Sequence, residues 1–221
     1  MKHTAENPSP AYLKALGESR QHHRVHKTWS GNLAMRHMGR IKALIDEAGC
    51  ADALDYGCGK CVQYFTPMAD GQTAEPFLGV PVFKYDPAMP ADFRRPLVIP
   101  RDYEIASELP EGRKWYLVIA THALGSIPIE DLKDWVVPLL FRSARKAIYI
   151  AENLNVPKKD GLFSDVSDKP REWTAEQWMD LFKRPGRPRV KVEAWFRGTP
   201  GNNPRETGDD GPDFRRWPFE A

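Results

Sequence analysis

The sequence has no run of about 20 uninterrupted apolar residues, the length a membrane-spanning helix needs, so no membrane span is expected. It also has no long block of like charge. Lysine and arginine number 32 against 30 acidic residues, a formal net charge of +2. That near-balance gives no electrostatic basis for general nucleic-acid binding, which asks for basic residues gathered on one face. The denser basic stretches (Arg20, Arg24, Lys27, Arg36, Arg40 and Lys42, then 183–191) read as solvated faces rather than phosphate patches. Cysteine is scarce: Cys50, Cys58 and Cys61, an odd, clustered set that argues against a disulfide framework. The chain starts Met1-Lys2-His3 and continues with polar residues. Lacking the apolar region of a signal peptide, it is expected in the cytoplasm.

What is present is a chain long enough for one domain with a substantial core: 221 residues, 41% hydrophobic and 28% charged. His3, His22, His23 and His26 crowd the first thirty residues beside Pro8 and Pro10. No cysteine or acidic pattern accompanies them, so residues 1–32 read as a soluble helical lead-in and a cover for a site. Ala34, Met38, Ile41, Ile45 and Ala48 recur at helical spacing over 33–48, with Asn32 as N-cap and Gly49 as stop. Strands are expected at 51–56, 81–85, 116–121, 146–151 and 189–196, the third and fourth as continuous apolar runs suited to burial on both faces. Five prolines between 87 and 113 favour looping backbone there, with room for a short strand near Leu97–Ile99. Pro138 predicts a kink or two short helices in the stretch that begins at Leu132. Thr174 and Gln177 form a capping-box pattern ahead of a helix over 174–183. Alternating strands and helices argue for βαβ units and a mainly parallel sheet over 33–197. The Gly-, Pro-, Asn- and Asp-rich stretch 198–221 reads as a loosely ordered tail.

The most informative segment is Leu54-Asp55-Tyr56-Gly57-Cys58-Gly59-Lys60. Glycines at a strand-to-helix turn let backbone approach a ligand closely. An acidic residue ending the next strand, here Asp86, suits ribose hydroxyls. On the residues alone, Asp55 either caps the turn or meets a ligand, Gly57 and Gly59 are turn formers or a cradle, and Asp86 before Pro87 is a ribose contact or an ordinary turn residue. Cys58 and Cys61 also have the spacing of a zinc knuckle or redox pair, although a knuckle would need two more ligands and no second C-x-x-C exists. A dinucleotide fingerprint would need glycine at position 62, where Val62 stands.

Leu-Asp-x-Gly-Cys-Gly over 54–59 resembles motif I of class I S-adenosyl-L-methionine (SAM)-dependent methyltransferases. Tyr85-Asp86-Pro87 resembles their acidic motif II loop. Residues 117–128, Leu-Val-Ile-Ala-Thr-His-Ala-Leu-Gly-Ser-Ile-Pro, resemble the fourth-strand motif, and 135–151 the following helix and strand. The resemblance covers roughly 33–151 and is nearest in form to a bacterial and phage group with an L-D-Y-G-C-G-K-G-x-Q-Y segment, which Gln63 and Tyr64 match. It implies a single-domain, Rossmann-like α/β fold: a mostly parallel sheet with helices on both faces. It implies SAM as cofactor and methyl transfer as activity. Asp55, Tyr56, Gly57, Cys58, Gly59 and Gln63 would lie around the methionine part, Tyr85, Asp86 and Pro87 around the ribose, and Thr121, His122 and Ala123 would complete the cofactor site. The sequence departs from the pattern at Cys61, where the third glycine of motif I would stand, at Tyr116, and at Gly125-Ser126, where a Glu-His pair is usual. A side chain at Cys61 is expected to narrow the turn.

His122 reads either as a satisfied loop histidine or as a general base. Glu152, with Asn153 at the end of another strand on the same rim, is the second catalytic candidate. No Asn/Asp-Pro-Pro-Tyr/Phe string occupies 120–123, and no cysteine follows Cys61 to attack a cytosine. The acceptor is therefore expected to be a small molecule or sugar, with 1–32 and 154–173 as covers and Trp29, Phe163 and Trp173 available to pack on it. The alternative is a SAM-binding regulatory or scaffold protein with little catalysis.

Overall fold

The computed structural model describes residues 2–25, 32–68, 70–93, 97–100, 103–154, 173–183, 190–197 and 213–217. The apolar runs form five parallel strands: β1 (Ala53–Tyr56), β2 (Val82–Tyr85), β3 (Trp115–Thr121), β4 (Ala144–Asn153) and β5 (Lys191–Arg197). A sixth, β6 (Asp213–Trp217), runs antiparallel along β5, and the order across the sheet is β2-β1-β3-β4-β5-β6. The chain moves outward from β1 to β2 and then returns to the other side of β1 for β3. The order therefore reverses between β1 and β3, where open α/β sheets leave a crevice beyond the carboxyl ends of their strands.

Side chains alternate across each strand, and the alternation sorts the core into two halves. Leu54, Tyr56, Val118, Ala120, Ile148, Ile150, Val192, Ala194 and Phe196 face one layer of helices. That layer contains α1 (Pro10–Val25), a helical rod over 129–143 and α6 (Ala175–Phe182), which contribute Tyr12, Trp135 and Trp178 among others. Ala53, Leu117, Ile119, Ala147, Tyr149 and Ala151 face the other layer, built from α2 (Met38–Ala48) and α3 (Ala74–Leu78). The result is a Rossmann-like α/β fold with helices on both faces of the sheet.

Local sequence explains most boundaries. Gly49 ends α2 in the left-handed conformation, φ +58°, which glycine adopts without steric cost. The Thr174–Gln177 capping box is formed in both directions. In the rod over 129–143, α4 (Ile129–Asp131) leads into a π turn over Leu132–Val136, and α5 (Val137–Ser143) follows. Pro138 has no N–H for the normal i−4 bond, and the wider register ahead of it absorbs that loss.

Three expectations differ from the structure. The helix expected over 33–48 begins as a 3₁₀ segment, Asn32–His37, before α2. No strand forms at 97–99, where Leu97 is fully exposed and only Ile99 is buried, because the surrounding prolines leave few backbone donors for pairing. Residues 213–217, within the expected loose tail, pair with β5 and cover hydrogen-bonding groups an edge strand would otherwise expose. The remainder of 198–221, with Trp29, Phe163 and most of 154–173, lies outside the described residues. Among the described residues, no helix is long and apolar enough to cross a membrane.

Candidate functional site

The site starts where β1 ends. Gly57 has φ +75°, and its N–H and that of Cys58 both donate to the Tyr85 carbonyl, at 2.7 and 3.1 Å. This ties the β1 turn to the end of β2. A Cβ on Gly57 would stand 2.4 Å from the Cβ of Ala123, so the turn after β1 and the turn after β3 touch where the sheet order reverses. Gly59 and Cys61 also have positive φ, +59° and +58°. Cys61 thus adopts backbone that favours the glycine the resemblance would place there. Its side chain does not narrow the turn: it lies in the core beside Cys58, with the two Sγ atoms 3.1 Å apart.

Asp55 points away from the ligand side. Adjacent strand residues face opposite ways, and with Tyr56 on one face the Asp55 carboxylate lies on the other. There it accepts from the Tyr64 hydroxyl at 2.7 Å and Gln63 Nε2 at 3.3 Å. Burial pushes its pKa up to about 6, against the lowering effect of those two hydrogen bonds. Asp55 therefore braces the turn from beneath, and Gln63 links it to the Cys58 carbonyl at 3.4 Å.

Asp86 follows β2. Its Oδ2 accepts from Gly59 N–H at 3.0 Å and its Oδ1 from Ala88 N–H at 2.8 Å, so the carboxylate holds both loops in place. His23 of α1 brings Nε2 to 3.6 Å from Asp86 Oδ2, and both side chains are buried. Helix α1 is anchored on each side of this contact. At its start, Ser9 donates from N–H and hydroxyl to the buried Asp131, and Trp135 Nε1 donates to the same carboxylate at 2.9 Å. The Tyr12 and Trp135 rings meet edge to face at 5.0 Å. At its end, Arg24 pairs with Asp92 at 2.9 Å.

The opposite rim comes from β3 and β4. His122 leaves β3 with φ +55° and donates its N–H to the Ala151 carbonyl at 2.7 Å. Glu152, near the end of β4, is buried and accepts from Leu124 N–H at 2.7 Å. A Cβ on Gly125 would stand 2.9 Å from its Oε2, so the glycine, where the resemblance would place Glu, leaves room for the Glu152 carboxylate. Behind His122 lies His37, 5.6 Å away between ring centres, with Nδ1 3.0 Å from the Tyr149 hydroxyl and its ring against Trp195. Burial, followed by Arg36 and Arg40, lowers the His37 pKa to about 4, so this inner imidazole is neutral at physiological pH.

These groups enclose a cavity of about 590 Å³, within the roughly 300–1,000 Å³ range of small-molecule sites. Tyr56, Gly57, Cys58, Gly59, Gln63, Asp86, Pro87, Thr121, His122, Ala123 and Glu152 all line it; Asp55 and Tyr85 do not. Asn153, Gly125 and Ser126 line it as well. Residues 1–32 are expected to cover the site, but the sequence does not single out the side chains that do so: α1 contributes Tyr12, Ala15, Leu16, Ser19 and His23. Their spacing is one helical stripe, but its mix of polar and apolar residues does not announce a core face. Trp173 packs on Trp178 instead of the cavity. No group of three or more His, Cys, Asp or Glu suited to a metal ion occurs among the described residues. Comparison of the chain with protein-family models, curated proteins and solved structures finds no match.

Proposed function

We propose that this cavity binds SAM and that the protein is a methyltransferase acting on a small-molecule acceptor. The observation that carries the reading is the meeting of the Gly57–Gly59 turn, Asp86, and the His122–Glu152 rim around one cavity at the sheet's reversal point. The residues present fit an adenosyl ligand. Each Asp86 oxygen accepts one backbone N–H and, having two lone pairs, can accept again. The Tyr56 hydroxyl is buried in the cavity wall without a hydrogen-bond partner among the described residues. Two carboxylates and the rings of Tyr12 and Tyr56 suit a cationic group. A dinucleotide fits less well, because the turn after β1 enters only a 3₁₀ segment, Val62–Tyr64, rather than the helix N-terminus that receives a pyrophosphate.

When bound, SAM would supply an electrophilic methyl group. The chain's own contribution is to hold the acceptor in line with it, a positioning effect that can account for much of the rate. Asp86 holds the ribose side, α1 excludes water from above, and His122 receives a proton where the acceptor must lose one. Glu152, already bonded to Leu124 N–H, fixes the shape of that rim as a positioning residue and shares the candidacy for proton transfer.

Calorimetry with SAM, S-adenosylhomocysteine and NAD tests the cofactor. The first two are expected to bind and NAD is not; no binding of either adenosyl ligand at millimolar concentration overturns the reading. Turnover retained in both His122→Ala and Glu152→Ala would remove both side chains from proton transfer. The second reading, a cofactor-sensing protein, is favoured by the closeness of His23 to Asp86, which places α1 where a ribose would compete. Binding without methyl release across small-molecule extracts would select it.

A further inference from the structure

We propose that Cys58 and Cys61 form a reversible dithiol–disulfide couple set in the wall of the cavity, a modification site at the edge of the proposed ligand site. The backbone is already arranged for it. Cys61 N–H donates to the Cys58 carbonyl at 3.4 Å, the closure of a four-residue turn whose end Cα atoms lie within about 7 Å of each other. A disulfide asks for roughly 4.4–6.8 Å between Cα atoms and about 2.05 Å between sulfurs. The two Sγ atoms are 3.1 Å apart, so bonding needs an approach of about 1 Å. The positive φ values of Gly59 and Cys61 curl the turn and bring the sulfurs onto one side of it.

Access is graded. Both thiols are buried, Cys58 at 2% and Cys61 at 0% exposure, and of the two only Cys58 belongs to the cavity lining. Cys50, eight residues before Cys58, is also buried, at 8% exposure, and lines no part of the cavity. A small oxidant such as a peroxide that enters the cavity therefore meets Cys58 before Cys61. The Cys58 thiolate attacks one peroxide oxygen, the O–O bond breaks, and a sulfenic acid and water result. The Cys61 thiolate then attacks Cys58 Sγ, forming the S–S bond while the S–O bond breaks and a second water leaves. Together the thiols lose two protons and two electrons, which the peroxide receives. Burial raises both thiol pKa values, so the reaction is slow at neutral pH and quickens as pH rises. Because Cys58 N–H and Gly59 N–H hold the Tyr85 carbonyl and Asp86, drawing the sulfurs together strains the wall on which the ribose side of any ligand rests.

The test is peptide mapping of the full chain after hydrogen peroxide treatment, alkylation of remaining thiols and non-reducing digestion. Trypsin cuts after Lys60 and puts the two cysteines on separate peptides, so the disulfide appears as a joined pair that dithiothreitol separates. The expected result is that pair, with Cys50 still alkylated. Both thiols alkylated under conditions that fully oxidise glutathione, or Cys50 oxidised first, overturns the proposal. In Cys61→Ser, Cys58 is expected to accumulate as a sulfenic acid trapped by dimedone; a Cys50–Cys58 disulfide, which would lie within the single tryptic peptide 43–60, counts against it. A parallel arm adds S-adenosylhomocysteine, which rests on the proposed cofactor. Calorimetric binding with no slowing of the cross-link overturns the placement of Cys58 at the ligand's edge. No binding at all is a failure of the cofactor reading, and the mapped disulfide still decides the couple.

Discussion

Gly57 combines a left-handed backbone, φ +75°, with a neighbour 2.4 Å from where its Cβ would be. Either alone disfavours a side chain, and the neighbour is itself a Cβ next to backbone rather than the end of a flexible chain. Gly57→Ala is expected to cost about 2–4 kcal/mol, the sum of left-handed strain and overpacking, read as a lower midpoint in urea at unchanged slope. Full stability would show that the two turns do not touch. Asp55 makes a second, pH-dependent expectation. Its folded pKa, about 6, lies above the usual carboxyl value, so the folded state holds this proton more tightly. The associated stability is present below about pH 4 and is lost as pH rises through about 6. Asp55→Asn keeps an acceptor for Tyr64 and Gln63 but has no charge to desolvate. Relative to the parent, it is expected to gain stability over that window, by roughly 3 kcal/mol at most, in unfolding curves taken at pH 4 and pH 7. A constant difference would mean the carboxyl titrates normally. The glycines and Asp86 were legible in sequence because turn chemistry is local. The direction of Asp55 was legible too, because strand alternation sets it opposite its next neighbour, Tyr56.

Among the elements, α1 shows where sequence reading runs out. Its hold on the body rests on polar contacts with residues far along the chain. Ser9, Trp135 and Tyr12 gather around Asp131, and His23 meets Asp86. None of this leaves an apolar stripe, so 1–32 reads as a lead-in and cover without showing which face of α1 becomes the cavity wall. By contrast, the capping box of α6 and the disruption before Pro138 are set by neighbours in sequence and were readable. Asp131→Ala leaves the Ser9 and Trp135 donors buried without their acceptor. It is expected to destabilise by about 2–4 kcal/mol and to speed cleavage within α1 in limited proteolysis; an unchanged digestion pattern would show that the anchor lies elsewhere.

For the whole molecule, protection against hydrogen exchange is expected to follow the sheet order. Strands β3 and β4 are paired on both sides and covered by both helical layers, whereas β6 has one neighbour. Exchange is expected to be slowest in β3 and β4 and fastest in β6, since local opening needs less energy where fewer buried contacts break. Equal rates in β4 and β6 would contradict the topology. The central strands were legible because burial on both faces writes continuous apolar runs such as Leu117-Val118-Ile119-Ala120. Strand β6 was not, because Asp213–Trp217 lies in a Gly-, Pro-, Asn- and Asp-rich stretch and carries no continuous apolar run.

The anchoring of α1 also sets an order of events at the ribosome. Ser9 and the carboxylate that receives it are separated by 122 positions. At about 5–20 residues per second, the helix emerges on the order of ten seconds before its anchor is synthesised. During that interval the half-built sheet stands without its cover, and the stripe from Tyr12 to His23 has nothing to rest on. The mixed polarity that hid this face in the sequence also leaves it soluble while it waits.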